Sequence, residues 1–167
     1  MIRLEKRLFM KQIAGIDSNK FNILIVDDIP LNLTLCDMML KSFEFTIVKA
    51  NNGRQALNEI QSRLNTPDCI DIAIVDLMMP ILDGYKVIEH IRQGYNEDGF
   101  NIPAMSKSEL PIIVLSALNL NEDVTKALTL GANQYLTKPI IQEQLISTLT
   151  KELEKRVKAS ATASATA

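Results

Sequence analysis

Five side chains that close apolar runs could together carry phosphoryl chemistry. Asp27 and Asp28 follow Asn22-Ile23-Leu24-Ile25-Val26, and Asp76 follows Ile72-Ala73-Ile74-Val75. Ser116 closes Ile112-Ile113-Val114-Leu115, and Lys138 follows Gln134-Tyr135-Leu136-Thr137. A carboxylate oxygen can attack phosphorus and form an aspartyl phosphate, and Asp76 is the candidate nucleophile. A phosphoryl group approaching clustered carboxylates is repelled unless a cation screens them. Mg2+ suits that task because it takes oxygen ligands and keeps places for water and phosphate oxygens. Asp28 and Asp76 are candidate direct ligands, Asp27 a ligand through water, and the Met78 main-chain carbonyl a further one. Lys138 would neutralise a second phosphoryl oxygen, while the Ser116 hydroxyl and the Ala117 amide would donate hydrogen bonds to the others.

These residues need a scaffold that brings distant segments together. Continuous Val/Ile/Leu runs of four or five residues read as strands buried on both faces, the pattern of a parallel sheet. A further strand is expected over 45–50. Helices are expected over about 31–42, after the Asn51-Asn52-Gly53 turn, after Asp83-Gly84, over about 121–130 up to Gly131, and over about 140–157. The first of these carries Leu31, Leu35, Met38 and Met39 on one apolar face. Five strands alternating with five helices make a doubly wound α/β domain, with expected strand order 2-1-3-4-5 and a switch point between strands one and three. That order sets Asp27, Asp28 and Asp76 side by side at the carboxyl ends of the strands.

Three segments fall outside the plan. Residues 1–20 form a basic extension, with Arg3, Lys6, Arg7, Lys11 and Lys20 against Glu5 and Asp17, a net +3. Residues 94–110 are long for a helix-to-strand connection, where 2–6 residues are usual; their Gly, Asn, Pro and Ser content suits either a mobile loop or a private partner surface. The 159–167 tail contains only Ala, Ser and Thr and reads as a disordered linker. The domain proper is expected over 21–158. The whole chain, 167 residues, is 47% hydrophobic and 23% charged, with net charge −2 and pI about 5.5. That balance implies no general attraction to nucleic acid or to an anionic membrane. Two cysteines, Cys36 and Cys69, without metal-ligand spacing suit a reducing compartment. With no apolar stretch of about 20 residues and no signal-peptide pattern, a cytoplasmic location is expected.

The motifs resemble those of a response-regulator receiver domain, the phosphoacceptor module of two-component signalling. They are the Asp27-Asp28 pair, Asp76-Leu77-Met78-Met79-Pro80-Ile81-Leu82-Asp83-Gly84, Ser116-Ala117, and Tyr135-Leu136-Thr137-Lys138-Pro139. Val26-Asp27-Asp28-Ile29-Pro30-Leu31-Asn32 is similar in particular to receiver modules of hybrid sensor kinases, with Ile29 departing from the polar residue often found there. The resemblance implies a flavodoxin-like receiver fold and phosphoryl transfer to Asp76 from a phosphohistidine on a kinase or phosphotransfer protein. It further implies that Ser116 is drawn toward the phosphoryl group and Tyr135 turned inward. The surface of the fourth helix, fifth strand and fifth helix would carry the change to a downstream partner, an attached module or a second copy. Such a protein is a switch and not an enzyme in the metabolic sense, catalysing only its own phosphorylation and dephosphorylation. Pro139 is often preceded by a cis peptide in this family.

Alternative readings meet specific obstacles. A hydrolase of the haloacid dehalogenase type needs a second aspartate two residues after the nucleophile, where this chain has Met78. A nucleotide-binding enzyme needs a Gly-rich loop after the first strand, where Asp28-Ile29-Pro30 offers no backbone nest. A scaffold without phosphoryl chemistry would not need every acidic, hydroxyl and lysine position. Asp83 reads as an N-cap, His90 as a surface residue, and the Met38-Met39 and Met78-Met79 pairs as core or loop packing. Met78 and Leu118 are expected beside the path of an attacking water, where two bulky apolar groups would lengthen the life of a phosphoryl group. With 29 residues after Lys138, the output is expected to lie in protein contact or in a larger chain such as a hybrid kinase.

Overall fold

The computed structural model describes residues 21–43 and 45–165. The expected basic extension over 1–20 lies outside the described residues. A five-stranded parallel sheet, in spatial order β2-β1-β3-β4-β5, forms the centre. The strands are β1 (Asn22–Val26), β2 (Thr46–Ala50), β3 (Ile72–Val75), β4 (Ile112–Ser116) and β5 (Gln134–Thr137). Between and after them run α1 (Pro30–Leu40), α2 (Gly53–Arg63), α3 (Gly84–Gln93), α4 (Asn121–Leu130) and α5 (Gln142–Ala165). A short 3-10 turn over Lys41–Phe43 follows α1. None of these helices is long and apolar enough to cross a membrane.

Side chains alternate across the sheet, so each strand feeds two cores. Leu24, Val26, Val48, Ala73, Val75, Ile112 and Val114 pack with Leu57, Ile60, Val87, Ile88, Ile91 and Ala127 of α2, α3 and α4. Ile23, Ile25, Ile72, Ile74, Ile113, Leu115 and Leu136 pack on the other face with Leu33, Cys36 and Leu40 of α1 and Leu145, Leu149 and Leu153 of α5. Two buried layers explain why β1, β3 and β4 are apolar without alternation.

Of the apolar face expected for α1, only Met39 packs against the core. Leu33, Cys36 and Leu40 point inward, whereas Leu31 and Met38 are 65% and 66% exposed and Leu35 is exposed too. Apolar residues occupy both sides of this helix, so periodicity alone could not choose between them. Met78 is likewise exposed, while Met79 is buried as expected. The last helix runs on to Ala165, past its expected end and through most of the tail read as disordered. Ala is the best helix former, and the Ser160 and Thr162 hydroxyls donate to the carbonyls of Arg156 and Lys158 four residues earlier.

Residues 94–110 are packed against the domain. Tyr95 and Ile102 exchange both backbone hydrogen bonds as an antiparallel bridge. Phe100, Ile102 and Leu110 join the core shared by α2, α3 and α4. His90 is half-buried instead of exposed, because its ring stacks on Tyr95 with centroids 3.8 Å apart.

Candidate functional site

Parallel register places the candidate residues together. Val26 pairs with Val75, so Asp27 and Asp76 leave neighbouring strands at the same level. Val75 pairs with Val114 and Ser116 with Thr137, which sets Ser116 and Lys138 on the adjoining pair. Backbone bonds extend the ladder past the strand ends: Asp76 N donates to Val26 O, Asp27 N to Ala50 O and Lys138 N to Ser116 O. The peptide linking Lys138 to Pro139 is cis.

Carboxylate oxygens of Asp27, Asp28 and Asp76 all lie within 4.8 Å of one another. The Lys138 ammonium bridges two of them, 2.6 Å from Asp27 Oδ2 and 2.5 Å from Asp76 Oδ2. Burial alone would pull the Lys138 pKa down, but its hydrogen bonds to Asp27 and Asp76 and their charges outweigh it and leave it raised. Asp27 is nearly saturated as an acceptor. Its Oδ1 takes Ile29 N at 2.9 Å and Asn32 Nδ2 at 3.0 Å, and its Oδ2 takes Asn32 at 3.1 Å besides the ammonium. Asp28, half-buried, receives no side-chain donor among the described residues.

Buried carboxylates this close resist sharing a site unless cations neutralise them. One is supplied by Lys138. The donor set that remains is hard oxygen from three carboxylates, and it fits Mg2+ better than a soft or nitrogen-seeking metal.

Ser116 is fully buried, and its Oγ accepts from Leu118 N at 3.4 Å. Tyr135, half-buried, donates its hydroxyl to Leu118 O at 2.8 Å, so the peptides flanking Leu118 are held from both sides. Ala117 is exposed at the end of β4. Asp83 caps α3 as expected, its Oδ1 accepting from Lys86 N at 2.9 Å. Gly84 lets that helix start against the site: a Cβ there would come within 2.2 Å of Asp76 O.

Two contributors were not singled out from the sequence. Asn32 lies five residues after Asp27, in the first turn of α1, and clamps both oxygens of that carboxylate. Its spacing could have revealed it. Tyr85 donates to Asp123 at 3.1 Å and lies under Lys126, linking α3 to α4; no local signal announces a contact across 38 residues.

The response regulator receiver domain family matches residues 23–150. The chain belongs to this family. Receiver domains are signalling modules of two-component systems. It is 32% identical over 133 residues to the response regulator GtcR of Aneurinibacillus migulanus, covering 80% of this chain and 48% of that protein. It is 33% identical over 129 residues to the sensor histidine kinase GacS of Pseudomonas protegens, covering 77% and 13%. With the two-component response regulator ARR2 of Arabidopsis thaliana it shares 34% over 136 residues, covering 79% and 18%. The chain thus spans less than half the length of these relatives. Among solved structures, a CheY-like receiver from Methanospirillum hungatei superposes with TM-score 0.66 at 22% identity, covering 83% of this receiver and 98% of that chain. A chain of the CheX-CheY-BeF3-Mg complex from Borrelia burgdorferi gives TM-score 0.64 at 24% identity, covering 78% and 87%. Both likenesses concern the fold, which is the doubly wound 2-1-3-4-5 sheet expected for this receiver.

Proposed function

We propose that this receiver takes a phosphoryl group onto Asp76 from a phosphohistidine and passes the change to a protein partner through α4, β5 and α5. The observation that carries this reading is the cluster of Asp27, Asp28 and Asp76 oxygens within 4.8 Å, bridged by the Lys138 ammonium. In the transfer an Asp76 oxygen forms the bond to phosphorus as the N–P bond of the donor breaks, and the imidazole leaves with the bonding electron pair. Bound Mg2+, held by Asp28, Asp76, the Met78 carbonyl and, through water, Asp27, would supply charge neutralisation to the phosphoryl oxygens. Lys138 moves from two carboxylates toward one of those oxygens. The Ser116 hydroxyl gives up Leu118 N and turns to another, and the Ala117 amide serves the third. Tyr135, bonded to the carbonyl of Leu118, follows the loop and reports the change on β5.

The donor's approach is supported by a collar of apolar side chains. Ile29, Leu31, Leu35 and Met38 on and before α1, with Ile141 before α5, are large, apolar and exposed. Isolated exposed apolar residues are ordinary, but a row of them on one helix beside a reactive site marks a docking face. A kinase or phosphotransfer helix laying its own apolar stripe on α1 would bring a histidine over Asp76.

Intact mass after incubation with acetyl phosphate and Mg2+, beside Asp76→Asn, tests the reading. One phosphoryl group, dependent on Mg2+ and absent from the variant, is the expected result. No adduct, together with no binding of beryllofluoride, would leave a protein-binding scaffold as the account.

A further inference from the structure

Arg92, on α3 and remote from the acidic cluster, is a half-buried cation. All five of its N–H groups are used, and none meets a carboxylate among the described residues. Nε donates to Gly131 O at 2.9 Å, one terminal nitrogen to Met105 O and Ser106 O at 3.1 and 3.2 Å, and the other to Leu110 O and Asn133 Oδ1 at 2.9 and 3.1 Å. Burial pushes its pKa down to about 10, with Glu109 opposing. A guanidinium is held this way only if its acceptors are fixed for it.

The acceptors belong to two segments. Met105, Ser106 and Leu110 lie in the long connection 94–110. Gly131 caps the end of α4, and Asn133 immediately precedes β5. The Arg92 chain crosses Gly131 so closely that a Cβ there would lie 2.7 Å from its Cγ. Asn133 repeats the bridge: its Oδ1 also accepts from Ile112 N, and its Nδ2 donates to Lys107 O and to Glu152 of α5. Glu152 in turn holds Gln134 of β5.

We propose that Arg92 is a positioning residue through which segment 94–110 braces the α4–β5 turn and so restrains the phosphorylation-driven switch. The inference rests on the reading of Asp76 as phosphoacceptor. The brace is complete in the arrangement in which Ser116 Oγ accepts from Leu118 N and Tyr135 holds Leu118 O. A displacement of α4 or β5 relative to α3 would strain the bonds to Gly131 or Asn133. Fixed acceptors therefore favour this arrangement over one with Ser116 turned to a phosphoryl group. Lysine, a point charge with three donors, cannot serve five acceptors in a plane.

The test is a beryllofluoride titration, with Mg2+ present, of the wild-type chain, Arg92→Lys and Asn133→Ser, each accompanied by a melting curve. Loosening the brace should lower the half-saturating beryllofluoride concentration by about fivefold in Arg92→Lys, and to a smaller extent in Asn133→Ser. A lower melting temperature with an unchanged titration would make Arg92 structural only and overturn the proposal. If Arg92→Lys does not fold, Asn133→Ser decides by the same criterion. A wild-type chain that binds no beryllofluoride would instead refute the phosphoacceptor reading.

Discussion

One ammonium, that of Lys138, is shared by Asp27 and Asp76, at 2.6 and 2.5 Å from an oxygen of each. The two carboxylates follow the ends of adjacent strands, β1 and β3, and the lysine follows β5 at the sheet's far side, so the pairing joins residues 111 and 62 positions apart. Neither acid is more than a tenth exposed. Lys138 therefore competes with any metal for the charge of this cluster as well as complementing it.

Replacing that lysine separates the two roles. Lys138→Met should slow phosphorylation by acetyl phosphate about a hundredfold, as loss of one oriented donor to a transferring group does. Mg2+ affinity should hold or rise, because a competing cation has gone. Loss of Mg2+ binding in parallel with phosphorylation, in a Mg2+ titration, would show that the lysine acts by holding the carboxylates in place.

Stability should carry a pH signature from Glu152, which is 1% exposed. Burial alone would raise its pKa; hydrogen bonds from Lys155, Gln134 and Asn133 outweigh that and leave it below the ordinary 4.5. A lowered folded-state pKa means stability that is present above about 4.5 and lost as pH falls through the lower folded value. Melting temperatures from pH 6 down to about 3 should therefore decline less steeply in Glu152→Gln. Parallel curves would contradict the assignment.

Gly84→Ala should be far more damaging than an ordinary helix-start substitution. Its Cβ would meet Asp76 O at 2.2 Å and Leu77 Cα at 2.8 Å, both main-chain atoms that cannot rotate away. A loss of about 1–3 kcal/mol in chemical denaturation is expected from such overpacking, with phosphorylation of the folded fraction slowed as the Asp76 loop shifts. Unchanged stability and rate would mean that α3 can slide outward freely.

The phosphoryl group should be long-lived. Met78 is 62% exposed on the loop after Asp76, and Leu118 is half-buried with its carbonyl tied to Tyr135. Two apolar side chains at these places would impede an attacking water and offer it no hydrogen bond. Radiolabel decay should be several-fold faster in a Met78→Asn, Leu118→Glu variant. Equal or slower decay would show that access of water does not limit hydrolysis.

Strands β1, β3 and β4 were legible because a sheet buried on both faces demands unbroken Val/Ile/Leu runs, and few other arrangements do. Asp83 as a cap was legible too, being a matter of local hydrogen bonding. By contrast, α1 carries apolar residues all round, and only its position against β1 and α5 decides that Cys36 is core and Met38 is surface. His90 looked like a solvent residue until the 94–110 connection laid Tyr95 over it.

The amino-acid order by itself determined the sheet, the family and the places of the acids, hydroxyl and lysine at the strand ends, since these follow from local periodicity and from residue types at fixed places in it. Only the tertiary structure decided that Lys138 is shared between two acids, that Asn32 clamps Asp27, and that Arg92 binds a long connection to the α4–β5 turn. Each of those contacts joins a donor to acceptors whose separation in the chain is unrelated to their separation in space, and a charged residue in a sequence looks the same whether water or five carbonyl and amide oxygens will surround it.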